Sequence, residues 1–304
     1  MSNELEHHVR IGPAGWDYED WDGVFYPAAR TRRFDALAYV ASYFTLVEIN
    51  STFYRVPPPH VTRRWVERVS DHSAFAFTLK VHQSLTHRND AGVPPELAPL
   101  RRAVEPIADA GRLGALLLQF PWSFRFNSDS RHRLDARVES LRPYPLAVEV
   151  RHGSWETDEA REYLAALDLT VCGIDQPVIG ESVHPYHYRS GSGGAYFRFH
   201  GRNYREWFAE GAGRDARYDY LYSAAELSPW ADVIRRAARE TTSVFVVLNN
   251  HFRGKAPANA FEMSSMLLGR PVPAPERLRR AYPQIASATR PDGGTAEAAT
   301  LFDS

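Results

Sequence analysis

Cysteine is almost missing from this chain of 304 residues: Cys172 stands alone. A single thiol excludes an internal disulfide and suits a reducing compartment, and its natural place is a small core position on a strand. Long apolar runs are missing too. No stretch of about 18 consecutive apolar residues occurs, and the opening Met-Ser-Asn-Glu-Leu-Glu-His-His has no signal-peptide character. Net charge is nearly absent, at −1. No global field therefore recruits nucleic acid or an anionic membrane, and any anion site has to be local. These absences are read together as a cytoplasmic protein with no membrane partner.

Several catalytic signatures are absent as well. There is no Gly-x-Ser-x-Gly elbow for a serine nucleophile and no His-Glu-x-x-His for zinc. The Gly191-Ser-Gly-Gly194 stretch lacks the lysine and the following helix of a phosphate loop.

What is present is repetition. Eight strand-like apolar runs end in polar residues: 9–12, 45–50, 75–80, 115–120, 146–151, 170–175, 195–200 and 244–250. Helical stripes separate most of them, among them Val61, Trp65, Val66 and Val69, then Leu97, Leu100, Val104 and Ile107. Eight such units point to an α/β fold of the (β/α)8 TIM-barrel type, an ordinary size for a chain that is 44% apolar. Residues 176–194 break the pattern with Pro, Gly, Ser and His, so the sixth unit is expected to carry a loop. Residues 270–282 read as a peripheral coil and helix. One domain is expected over 1–286, followed by a disordered tail over 287–304.

The stretch Thr45-Leu-Val-Glu-Ile-Asn-Ser-Thr-Phe-Tyr-Arg55 organises the rest. Side chains of a strand alternate, so Val47 and Ile49 share one face while Glu48 and Asn50 share the other. A charge and an amide at the end of a buried strand are costly unless something pairs or uses them. The same alternation elsewhere nominates Lys80, Gln119, Glu149, Arg151, Asp175, Arg198 and His200 as inward-facing, with Asn249 or Asn250 from the last run. An alternative use for the whole set is a structural ion-pair network. Aromatic residues follow the strand ends, notably Trp16, Tyr54 and Trp155, and such rims stack sugars or nucleobases or else seal the fold.

Ile11-Gly-Pro-Ala-Gly-Trp16, Val47-Glu-Ile-Asn-Ser-Thr-Phe-Tyr54, Leu116-Leu-Leu-Gln-Phe-Pro121, Val148-Glu-Val-Arg-His152, Arg198-Phe-His-Gly201 and Asn249-Asn-His251 resemble the YecE-like family, also called domain of unknown function 72. The matches run from about residue 11 to 268 in the family's order. The resemblance implies a TIM barrel and no particular reaction.

On the residues alone, the first expectation is an enzyme for an anionic, ring-bearing ligand: a nucleotide, a nucleic-acid end or a sugar phosphate. Glu48 and Glu149 would supply acid–base carboxylates, His200 a proton carrier, and Lys80, Arg151 and Arg198 the anion clamp. Asn50, Gln119, Asp175, Asn249, Asn250, His251, Trp16, Tyr54 and Trp155 would line the ligand. A carbohydrate hydrolase flanking a glycosidic bond with Glu48 and Glu149 is the second reading. A Schiff-base lyase through Lys80 is the third, and a non-catalytic binding barrel the fourth. Glu48, Glu149, Asp175, His200 and His251 could also hold a divalent metal. Finally, Leu301-Phe302 in the tail resembles a sliding-clamp-binding peptide, departing from it at Ala298 where the motif has glutamine. A two-residue anchor buries so little surface that the contact is expected to be weak.

Overall fold

The computed structural model describes residues 8–88, 92–207 and 214–293. Nine strands supply its framework: β1 (Val9–Pro13), β2 (Leu46–Ile49), β3 (Ala76–Lys80), β4 (Leu113–Gln119), β5 (Leu146–Glu149), β6 (Thr170–Val171), β7 (Gly173–Asp175), β8 (Ala195–Phe199) and β9 (Val244–Leu248). Their ladders are all parallel, in the orders β2-β3-β4-β5-β6 and β1-β9-β8-β7. Parallel neighbours require crossovers, and the helices Ala36–Ala41, Pro59–Arg68, Leu97–Asp109, Ser128–Leu141, Asp158–Ala166 and Ala224–Glu240 provide them, with Lys255–Leu268 following the last strand. The helical stripes are buried as the periodicity requires, including Trp65, Val69, Leu100, Val104 and Ile107. No helix forms over residues 176–194.

The run expected as one strand over 170–175 is two, parted at Cys172, whose N–H still donates to Val148 O at 2.9 Å. Where the two sheets meet at β1 and β2, the backbones also bond: Thr45 N–H to Ile11 O (3.2 Å) and Gly15 N–H to Glu48 O (2.8 Å). The approach is so close that a Cβ on Gly12 would lie 1.7 Å from Leu46 O. Only glycine fits there.

Strand alternation divides the interior into two cores. Val47, Ile49, Phe77, Leu79, Leu116, Leu118, Val148, Phe197, Phe199, Val246 and Leu248 join a large cluster with the helices. Leu46, Ala76, Ala115, Leu117, Ala147, Cys172, Ile174, Tyr196, Phe245 and Val247 form a separate, smaller one. The charged strand ends continue the faces of this second cluster.

One boundary needs correction. Residues 287–293 do not begin a disordered tail: β11 (Thr289–Pro291) pairs in parallel with β10 (Val272–Ala274). Thr289 is buried and donates to Ile285 O at 2.8 Å, and Tyr43 donates to Asp292 Oδ2 at 2.5 Å. A Thr-Arg-Pro stretch has little apolar surface to betray this, because the stabilising partners are backbone groups of β10. The expected tail contact at Leu301-Phe302 lies outside the described residues. Among the described residues no helix is long and apolar enough to cross a membrane.

Truncation after Ala286 should therefore lower the melting temperature by roughly 2–6 °C relative to truncation after Gly293, from a few backbone bonds worth ~1 kcal/mol each. Equal melting curves for the two truncations would show that β11 adds nothing to stability.

Candidate functional site

Arg198, near the end of β8, is the centre of the polar cluster, only 2% exposed. A lone guanidinium so deep would be untenable, and two glutamates from distant strands meet it. Its Nη2 donates to Glu48 Oε1 at 2.6 Å and its Nε to Glu48 Oε2 at 2.9 Å, a two-pronged grip. Its Nη1 donates to Glu149 Oε2. The other oxygen of Glu149 accepts from Arg151, Nη2 at 2.6 Å and Nε at 2.7 Å. The Tyr196 hydroxyl donates to Glu48 Oε2 (2.8 Å) and lies 2.7 Å from Thr78 Oγ1. Both glutamates are fully buried.

These contacts set the protonation states. Burial alone would raise the Glu149 carboxyl, but Arg198, Arg151 and His200 hold it well below the usual carboxylate range. Burial likewise opposes charge on Arg198, and Glu149 and Glu48 more than restore it. His200 is lowered to about 4, chiefly by burial, so its imidazole is neutral. Asn249 Nδ2 lies 3.0 Å from His200 Nδ1 and can only donate, which assigns the ring proton to Nε2, 3.3 Å from Glu149 Oε2.

Above this network lies a pocket of about 90 Å³ lined by Tyr18, Asn50, Tyr54, Lys80, Gln119, Arg151, Arg198, Tyr218, Asn249 and His251. That is about three water volumes. Lys80, at the end of β3, places its ammonium 3.6 Å from the centre of the Phe53 ring. Burial first, then Arg198, lowers it to about 7. The same burial, with Lys80 nearby, lowers His87 to about 4. Asn50 donates to Asn249 Oδ1 at 3.4 Å, while its own Oδ1 is buried with no partner among the described residues. Gln119 turns its amide onto Phe120 O at 2.7 Å. His251 stacks on Tyr18, ring centres 4.7 Å apart.

Eight of the residues nominated from alternation and the rim thus line one pocket: Asn50, Lys80, Gln119, Arg151, Arg198, Asn249, His251 and Tyr54. Glu48, Glu149 and His200 lie beneath it. Four others are elsewhere. Asp175 faces the opposite way, gripped by Arg202 (2.9 and 2.7 Å), the Tyr222 hydroxyl (2.7 Å) and Trp230 Nε1 (2.8 Å). Cys172 and Ile174 hold the inner positions on this segment, so odd-numbered Asp175 points out and Gln176 occupies the inward parity. Asn250 also points out, bonding Tyr220 O and Asn259. Trp155 is fully buried in the outer core, bonded to Phe124 O, and Trp16 packs edge-on against Trp65. Alternation also offered Tyr196 and Thr78, two residues before Arg198 and Lys80, which the sequence reading passed over. Tyr218 sits in a loop without periodicity and had no signal.

The proposed metal ligands do not converge. Among the described residues no three of His, Cys, Asp or Glu come together as a metal site requires; Asp175 has turned away, and Arg198 occupies both glutamates.

The family described as "Protein of unknown function DUF72" matches residues 10–280. The chain belongs to the DUF72 family. Membership agrees with the resemblance carried by the strand-end motifs. The UPF0759 protein YunF of Bacillus subtilis is 26% identical over 272 residues, 85% of this chain and 94% of that protein. The UPF0759 protein YecE of Escherichia coli K12 is 25% identical over 177 residues, 56% of this chain and 58% of that one. Among solved structures, a DUF72 family protein of Thermotoga maritima has a TM-score of 0.74 at 35% identity, covering 86% of this chain and 99% of that one. A second, from Enterococcus faecalis, reaches 0.74 at 24%, covering 85% and 95%, and speaks to the fold alone. Family membership brings no reaction with it.

Two outcomes test the network. Arg198→Met should destabilise the protein by about 3–5 kcal/mol by stranding two buried carboxylates, and Glu48→Gln with Glu149→Gln in the same chain should recover part of that loss. Urea unfolding that shows additive losses would disprove the coupling. Second, His200 ordinarily titrates at 6.5 but is lowered to about 4 when folded, so the unfolded state takes up the proton first. Its contribution is present above about pH 6.5 and lost as pH falls toward 4, on the order of 3 kcal/mol. Glu149 adds loss of the same sign below the ordinary carboxylate range. A stability profile flat from pH 7 to 4 would contradict this.

Proposed function

We propose that the pocket binds the anionic group of a small ring-bearing ligand at the C-terminal ends of an eight-stranded α/β barrel. Support for the barrel comes from the backbone bonds joining β1 to β2, from Cys172 carrying the chain between the two sheets, and from the separate inner core. On this reading β6 and β7 are one strand with a break, and the two sheets are arcs of a single ring.

The single observation behind the ligand is the charge of the lining. Lys80, Arg151 and Arg198 face the pocket, and among the described residues no carboxylate does. Glu48 and Glu149 balance the two arginines from below, so Lys80 is the surplus charge. An anion entering the pocket meets a guanidinium already held rigid, which spares the entropy of ordering it. Tyr54 and Tyr218 border the same opening and offer ring faces to the remainder of the ligand, while the Tyr18 ring is already stacked on His251. The Oδ1 of Asn50, without a partner among the described residues, calls for a donor such as a hydroxyl or ring N–H. Nucleotides and sugar phosphates combine these features.

The carbohydrate hydrolase reading fares worse. Acid–base glutamates must reach the scissile oxygen and leave room for sugar or water between them. Here one guanidinium fills the space between Glu48 and Glu149, and neither lines the pocket.

Sulfate keeps its charge between pH 6 and 9, which makes it a clean probe. Calorimetry should show sulfate binding that weakens as pH rises through about 7, where Lys80 loses its proton. Arg151→Ala should weaken it about tenfold or more by removing a charged donor at the rim. Absence of sulfate or phosphomonoester binding at pH 6 would sink the proposal.

A further inference from the structure

Among thirty-six basic residues this chain has only two lysines, Lys80 and Lys255. Every other cationic position is arginine. Lys255 has an ordinary role, its ammonium paired with Asp219 beside the start of the helix Lys255–Leu268. Lys80 has no such partner: among the described residues no carboxylate pairs with it, because Arg198 and Arg151 hold the oxygens of Glu48 and Glu149. It lies in the pocket, against the apolar face of Phe53, with two fixed cations sharing the cavity. A permanent positive charge there could have been supplied by one more arginine. What lysine alone provides is an amine that can be deprotonated and act as a nucleophile.

We propose that Lys80 forms an imine with a small aldehyde or ketone whose carboxylate or phosphate is held by Arg151 and Arg198, a step that rests on the anion-binding reading above. The Nζ lone pair attacks the carbonyl carbon, forming the C–N bond while the C=O π pair moves to oxygen. The two amine protons then leave with that oxygen as water, and the C=N bond closes. No electrons are gained or lost, and no co-reactant is needed. Protonation of the imine makes it an electron sink for loss of a proton or a carbon fragment from the adjacent carbon.

The surroundings favour the attack. Burial and the Arg198 charge lower the ammonium to about 7, so a large fraction is neutral at physiological pH. Arg151 also disfavours its charge, while Glu149 and Glu48 oppose the shift. His87, edge-on to Phe53 and lowered to about 4, is neutral and adds no further positive charge on this side of the pocket. A cavity of about 90 Å³ suits a compound of a few heavy atoms, or the reactive end of a larger one.

The unmodified protein would be incubated at pH 7.5 with cyanoborohydride and one of three aldehydes: glyoxylate, glycolaldehyde phosphate or uncharged glycolaldehyde. Peptide mapping then gives the ratio of reductive alkylation at Lys80 to that at Lys255, each probe serving as its own reference. The expected ratio exceeds unity with glycolaldehyde, because burial leaves Lys80 largely neutral, and is higher still, by about tenfold or more, with an anionic probe. Glyoxylate against glycolaldehyde phosphate decides between carboxylate and phosphate. Excess sulfate should suppress the Lys80 product, and Lys255→Arg should leave that product unchanged. Equal alkylation of the two lysines by all three probes overturns imine formation; if sulfate still binds by calorimetry, the anion-binding reading survives it, and if sulfate does not bind, both fall. A high ratio with glycolaldehyde equal to that of the anionic probes overturns the proposed substrate class.

Discussion

One guanidinium ties three distant strands together. Arg198 on β8 reaches Glu48 on β2 and Glu149 on β5, and no member of this triad is exposed enough to be satisfied by water. Charges removed from solvent cost several kcal/mol each unless their partners are well placed, so the three strand ends have little freedom to drift. Arg151, Tyr196 and His200 fill the remaining sites of the two carboxylates. The pocket above inherits its shape and its cationic lining from this arrangement.

The network also assigns roles. A carboxylate held far below its ordinary range by two arginines is a poor proton carrier near neutrality, and a histidine lowered to about 4 is a neutral hydrogen-bonding group rather than an acid. Glu149 and His200 are therefore positioning residues for Arg198, and Glu48 is another because both its oxygens accept from that guanidinium. The reactive potential moves to Lys80, which has neither a carboxylate partner among the described residues nor full hydration. Burial that would be a liability in a structural lysine is what makes this one useful.

Reading strand ends two residues at a time found most of this site, because the side-chain period of a strand is a property of local geometry and needs no tertiary knowledge. Glu48 with Asn50, Glu149 with Arg151, and Arg198 with His200 fall on the faces that alternation assigned. The method failed where the period was interrupted. The segment at Cys172 breaks between β6 and β7, the inner places go to Cys172 and Ile174, and Asp175 becomes an anchor for Arg202, Tyr222 and Trp230. Residue type was no guide there, since a buried aspartate looks the same whether it faces a ligand or a tryptophan. Loop aromatics were equally ambiguous: Trp155 and Trp16 seal the fold, while Tyr54 and Tyr218 border the pocket.

By itself, the sequence determined the alternation of parallel strands and helices, the family, and the set of polar residues at the strand ends, all of which follow from periodicity and contiguous motifs. Only the tertiary structure decided that Arg198 neutralises both glutamates, that Lys80 has no carboxylate partner among the described residues, and that residues 289–291 join β10 as a strand. The physical reason is common to the three. Charge pairing and strand pairing are relations between residues far apart in the chain, such as Glu48 and Arg198, and their energies depend on distance and burial that no local pattern encodes.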